Sequence, residues 1–208
     1  MPAREHILHK IRTALGRSSG QPPGEAPPVR LRVPAAEAGE RVRMLAERFN
    51  GTVSHAPSAA DARDHVARLV DGRRAVACPS PLLERLGVFG LPGVEALPDG
   101  VDGVRAACAA AEVGITGAEY ALADTGALVV IASGQESRLA SMLPTVHITV
   151  LAADRVLTGL DELFTTVPDP AAFSSSMVLI GGPSKTADIE QILTLGVHGP
   201  REIHLVLV

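Results

Sequence analysis

The sequence predicts an α/β domain: a mixed, mostly parallel β-sheet flanked by helices, with an N-terminal helical arm. Short apolar runs of Val, Ile, Leu and Ala alternate with amphipathic stretches of helical period. Aromatic residues are nearly absent, with no Trp, one Tyr and four Phe. The core must therefore be aliphatic, which suits helices packed on a parallel sheet. Several apolar runs end in small, polar, glycine-containing turns, the arrangement by which α/β proteins present chemistry at strand ends.

Taken in order, Ile7, Leu8, Ile11 and Leu15 recur at helical spacing and Gly16 supplies a stop. Residues 16–34 are rich in Pro, Gly and Ser and read as a linker. The chain thus divides into an arm of residues 1–34 and a domain of residues 35–208. The arm either contacts a partner or folds back on its own domain, and the second reading is the simpler. Residues 35–49 form a helix with Val42, Leu45, Ala46 and Phe49 inward, ended by Asn50-Gly51. A short strand at 52–54 follows. Next comes a helix over 58–70, with Ser58 as N-cap and Ala62, Val66, Leu69 and Val70 inward. Residues 75–78 are a strand closed by Pro79, 81–86 a short helix, 93–97 a weak strand and 102–108 a helix.

Residues 113–154 carry the densest polar punctuation. Strands at 113–116 and 127–132 flank a segment that is either one helical turn or the first arm of a hairpin turning at Asp124-Thr125-Gly126. Turn chemistry favours the hairpin, and its antiparallel pair makes the sheet mixed. A short helix is expected over 137–142. On the strand at 146–151, Val146, Ile148 and Val150 share one face, and His147 and Thr149 the other. Asp154 then caps a helix reaching Phe164. The expected remainder is a strand at 176–180, a turn at 181–185, a helix over 186–195 and a final strand at 203–208.

Composition removes several classes of function. The formal net charge of −4 gives no electrostatic basis for nucleic-acid or anionic-membrane binding, and scarce aromatics remove stacking platforms for single strands. Cys78 and Cys108 lie far apart, outside any Cys-x-x-Cys, so they cannot assemble a Cys-only iron–sulfur or structural zinc site. Their apolar neighbours mark them as buried thiols. No cofactor motif is recognisable. The charged first residues lack a signal-peptide core, and no apolar run reaches the roughly 20 residues needed to span a bilayer. A cytoplasmic location is expected.

The expected strand–turn–helix at Gly181-Gly-Pro-Ser-Lys-Thr186 would offer free backbone N–H groups to an anion. Gly182, Ser184, Lys185 and Thr186 are its candidate contacts. It is not a P-loop, since Ser184 stands where that motif needs Gly. A purely structural cap and turn explains it equally well. Thr116, Gly117, Thr125 and Gly126 are the candidate second half of the same cleft. Glu119 and Asp124, with Glu136 beside them, are candidate acids, bases or nucleophiles, although turn preference alone accounts for Asp124. His147 and His198 share no short ligand spacing with each other or with Asp, Glu or Cys. They are read as pocket or hydrogen-bonded core residues, with no metal site.

In combination, Gly114-Ile-Thr-Gly, Ala123-Asp-Thr-Gly126, Glu136-Ser-Arg-Leu139, Leu143-Pro-Thr-Val-His-Ile148 and Gly182-Pro-Ser-Lys-Thr-Ala-Asp-Ile-Glu190 resemble the lactate utilization protein C family, the LutC/YkgG group carrying the LUD domain. The chain departs from that pattern at Asp124, Ala127 and Lys185, where Glu, Thr and Arg are common. The resemblance implies a NagB/RpiA/CoA-transferase-like fold. It also implies a place in oxidation of L-lactate to pyruvate, as the cluster-free component alongside an iron–sulfur protein, binding partner subunits or a small carboxylate or phosphate. The alternatives are a stand-alone enzyme on a phosphorylated or CoA-linked metabolite, and a ligand-sensing module.

Overall fold

The computed structural model describes residues 3–16, 35–131, 138–172, 174, 176–187 and 193–208. The expected contacts Glu136, Ser137, Asp188, Ile189, Glu190 and Ile192, and the linker over 17–34, lie outside these residues.

Six parallel strands form the centre: β1 (Thr52–His55), β2 (Ala75–Ala77), β3 (Val94–Ala96), β4 (Val113–Gly117), β7 (Val146–Leu151) and β12 (Glu202–Leu207). Their spatial order is β1-β12-β7-β4-β2-β3, and every pairing is parallel. Between β4 and β7 in sequence lie β5 (Tyr120–Leu122) and β6 (Ala127–Ile131), the expected hairpin. They form a separate four-stranded sheet with β8 (Val156–Leu157) and β9 (Met177–Ile180), in the order β8-β5-β6-β9. The architecture is α/β with helices flanking a mostly parallel sheet, as expected. The antiparallel strands are segregated from the central sheet instead of being mixed into it.

Side-chain alternation along the central strands builds two cores. Ala75, Ala77, Val113, Ile115, Ile148 and Val150 face α3 (Ala59–Val70) and α4 (Pro81–Arg85). Ser58 caps α3 by accepting from the Asp61 N–H, and Ser80 caps α4 by accepting from the Leu83 N–H. On the other face, Leu151, Ile203, Leu205 and Leu207 pack against α2 (Ala38–Arg48) and the second sheet. Val76 and Cys78 pack against α5 (Val101–Ala110) and a 3-10 turn at Arg138–Ser141. Both faces of β7 are consequently buried.

Four local expectations are corrected. The β5–β6 loop has four residues, 123–126, because Leu122 pairs with Ala127. No helix follows Asp154 directly. Residues Ala153–Arg155 make a 3-10 turn, β8 pairs with β5, and α6 (Leu160–Thr166) starts after Gly159. The Glu162 carboxylate reaches back to accept the Thr158 N–H at 2.7 Å, so it satisfies an N-terminal donor where no capping side chain does. The expected helix from Thr186 is instead β10 (Lys185–Ala187) paired antiparallel with β11 (Leu193–Leu195). Tertiary pairing continues from there: the Ser184 N–H donates to Pro200 O and the Gly196 N–H to Ser184 O, overriding local helix propensity. Finally, Met44, not Ala46, completes the inward face of α2, and Ala46 is exposed.

The arm contains α1 (Ala3–Ala14), which buries no residue; Ile7, Ile11 and Leu15 are about half exposed or more.

Candidate functional site

Strand order locates the site. From β2 the chain steps outward to β3, then returns across β2 to β4 and on to β7. The β2–β3 connection carries α4 on one face, and the β3–β4 connection carries α5 on the other. In an open α/β sheet such a reversal opens a crevice at the carboxyl ends of the strands, where ligands bind. A cavity of about 310 Å³ lies there, lined by Ser80 and Arg85 after β2, Gly117, Glu119 and Tyr120 at the end of β4, and Arg155 after β7.

Its polar groups are arranged by short-range contacts. The Glu119 Oε2 accepts the Ile131 N–H at 2.7 Å, and the Glu119 N–H donates to Val129 O at 3.0 Å, so this residue is pinned to β6. Arg155 donates to the Tyr120 hydroxyl at 3.3 Å, and its guanidinium lies 5.5 Å from the Tyr120 ring centroid, within cation–π range. Arg85 and Arg155 are both exposed, and neither forms an ion pair among the described residues. Two guanidiniums lining one cavity, with a tethered carboxylate also in its lining, suit a ligand that carries negative charge and accepts hydrogen bonds.

A second cavity of about 530 Å³ continues along the same edge and shares Leu82 and Arg85 with the first. Ala56 and Pro57 after β1, Leu86 and Val208 line it, so its walls are predominantly apolar.

The other predicted site residues are distributed away from this crevice. Thr116 and His147 are buried within the sheet, at 3% and 0% exposure. The His147 Nε2 is 2.8 Å from Thr116 Oγ1 and 3.0 Å from Thr149 Oγ1, while its Nδ1 is buried without a hydrogen-bond partner. Burial lowers the His147 pKa to about 4, so the ring is neutral at physiological pH. Thr125 is exposed on the β5–β6 turn. Gly126 adopts φ +68°, and a Cβ there would collide with Arg48 O. The Arg48 guanidinium in turn donates to Asp124 O. Asp124 packs its carboxylate against Gly159 and leaves Oδ1 buried without a partner.

Gly182, Ser184, Lys185, Thr186 and His198 lie at the opposite, amino-terminal end of the sheet. Lys185 Nζ donates to Asn50 Oδ1 at 3.2 Å. Gly182, at φ +144°, leaves only 2.7 Å between a notional Cβ and the Asn50 side-chain nitrogen. The His198 N–H donates to Ser184 Oγ at 3.1 Å. Gly126 of one proposed half and Lys185 of the other thus both abut the end of α2 and the residues after it, at Arg48 and Asn50, with Gly117 and Glu119 standing apart at the carboxyl edge.

Arg85, Arg155 and Ser80 escaped sequence reasoning. In sequence they read as the end of a surface helix, an exposed cap region and a turn. Only the strand order brings 80–85, 117–120 and 152–155 together. The available signal was that each segment directly follows a parallel strand. Cys78 and Cys108 are buried thiols, and burial raises the Cys108 pKa. Among the described residues no group of three His, Cys, Asp or Glu side chains is placed to hold a metal ion, and no helix is long and apolar enough to cross a membrane.

Comparison with known proteins agrees with this architecture. A lactate utilization protein C from Halalkalibacterium halodurans is 35% identical over 94 residues, 43% of this chain and 41% of that protein. One from Bacillus velezensis is 36% identical over 102 residues, 47% of this chain and 42% of that protein. The chain therefore spans less than half the length of these two curated relatives. A lactate utilization protein C from Deinococcus radiodurans aligns over 100% of this chain and 98% of its own length, at 25% identity. The crystal structure of a DUF162 family protein from Deinococcus radiodurans superposes with a TM-score of 0.62 at 20% identity, covering 83% of this chain and 99% of that one; at that identity the likeness shows the fold alone. The family model described as LUD domain matches residues 39–208, and the chain belongs to the LUD domain family.

Proposed function

We propose that this protein is a cluster-free component of a lactate-utilization system and that the crevice at the carboxyl edge of its parallel sheet binds a small anionic ligand. The observation that carries the ligand reading is the placement of Arg85 and Arg155 at the sheet's reversal point, beside Tyr120 and Ser80. The system-level reading is supported by the full-length alignment to a lactate utilization protein C.

Oxidation of lactate to pyruvate removes two electrons and two protons. The chain's two cysteines are too few to hold a thiolate-ligated cluster, so we assign electron transfer to an iron–sulfur partner in the cytoplasm and ligand or partner binding to this chain. Deleting the gene should abolish growth on L-lactate as sole carbon source. Wild type should restore it. A folded Arg85→Ala/Arg155→Ala double variant should not. Normal growth of the deletion strain on lactate overturns the system-level reading, and full rescue by the double variant overturns the crevice as the working site.

A further inference from the structure

We infer that the ligand of this crevice is an amphiphilic anion, a carboxylate or phosphate head carrying an extended apolar arm, and not a compact three-carbon acid. This rests on the proposed crevice reading and specifies its ligand. The polar lobe alone, at about 310 Å³, falls in the range of roughly 300–1,000 Å³ found for drug-sized ligands. Leu82 and Arg85 line both this lobe and the 530 Å³ lobe, so the two cavities adjoin at α4 on the same edge of the sheet. Along this path the lining changes character. Arg155, Tyr120 and Ser80 stand at one end, and Ala56, Leu86 and Val208 at the other.

Arg85 stands at the junction. Its guanidinium can serve a head group while its aliphatic stem continues the apolar wall. Ala56 and Leu86 are 5% and 6% exposed, so the apolar floor is set by the core and not by loose surface side chains. A head held on the guanidiniums places whatever is attached to it beside this apolar lobe, which Arg85 also lines.

The test is a calorimetric titration with straight-chain carboxylates from butyrate to octanoate on the full chain. Each added methylene that enters the apolar lobe strengthens binding by up to about fourfold, so octanoate should bind at least tenfold more tightly than butyrate. Ala59→Gln, at the first turn of α3 on the rim of the apolar lobe, should erase most of that gain while leaving butyrate binding unchanged. Arg85→Ala and Arg155→Ala should each weaken every member by about tenfold or more, the loss of a charge-assisted hydrogen bond. Equal affinities along the series, still dependent on the arginines, would overturn the amphiphile inference and leave the crevice reading standing. Chain-length dependence indifferent to the arginines, or no binding of any member, would overturn both.

Discussion

Acidification should destabilise this protein chiefly through His147. The imidazole is fully buried, bonded through Nε2 to two threonine hydroxyls, and has no polar partner at Nδ1. In the unfolded chain it takes up a proton near pH 6.5, and in the folded protein it stays neutral down to about pH 4. Between those values the unfolded chain binds more protons, so stability falls as pH falls; below pH 4 both states are protonated and the loss is complete. At ~1.36 kcal/mol per pKa unit the whole difference is worth roughly 3 kcal/mol. Lowering the pH from about 7.5 to about 5 realises roughly 2 kcal/mol of it. His65 on α3 also has a lowered pKa, first from burial and then from Arg68 and His204, and adds a loss of the same sign. The comparison that isolates His147 is therefore with His147→Gln, whose amide nitrogen can stand where Nε2 stands but does not titrate. Urea unfolding at both pH values should show wild type losing about 2 kcal/mol more than the variant. Parallel losses in the two proteins would refute the assignment of the acid sensitivity to this residue.

Gly126→Ala should lower stability by about 2–4 kcal/mol, from roughly 1 kcal/mol for a left-handed non-glycine residue and about 1–3 kcal/mol for overlap with Arg48 O. Its affinity for carboxylates should be unchanged, as read by thermal melting and calorimetry on the same sample. Removing residues 1–16 should move the melting midpoint by less than about 2 °C, since α1 buries nothing; a larger drop would mean the helix packs on the body.

The fold was legible wherever sequence periodicity coincided with burial. The helix at Ala59–Val70 with its Ser58 cap, the short helix at Pro81–Arg85, the parallel strands and the hairpin at 120–131 all follow from apolar spacing and turn residues. What was not legible depended on pairing between distant segments. Residues 186–195 carry a plausible helical pattern, yet Lys185 and Thr186 find ladder partners in Leu195 and Thr194, and nothing local announces that. The same limitation governed the site. Thr125-Gly126 and Gly182 look like ligand turns because glycine there is demanded by φ and by close backbone approach, and the structure supplies Arg48 and Asn50 as the groups approached. Of the predicted residues only Gly117 and Glu119 line the crevice. Arg85 and Arg155 carry no motif; their proximity is a property of the strand order.

The central claim is that the ligand enters at the carboxyl edge of the sheet and not at the glycine turn on its amino-terminal edge. A backbone amide NMR titration with octanoate tests it most directly. Shift changes concentrated at Ser80, Leu82, Gly117, Ala118, Tyr120 and Arg155 are expected. Changes concentrated instead at Gly182, Ser184, Lys185 and Thr186, with the crevice amides silent, would contradict it.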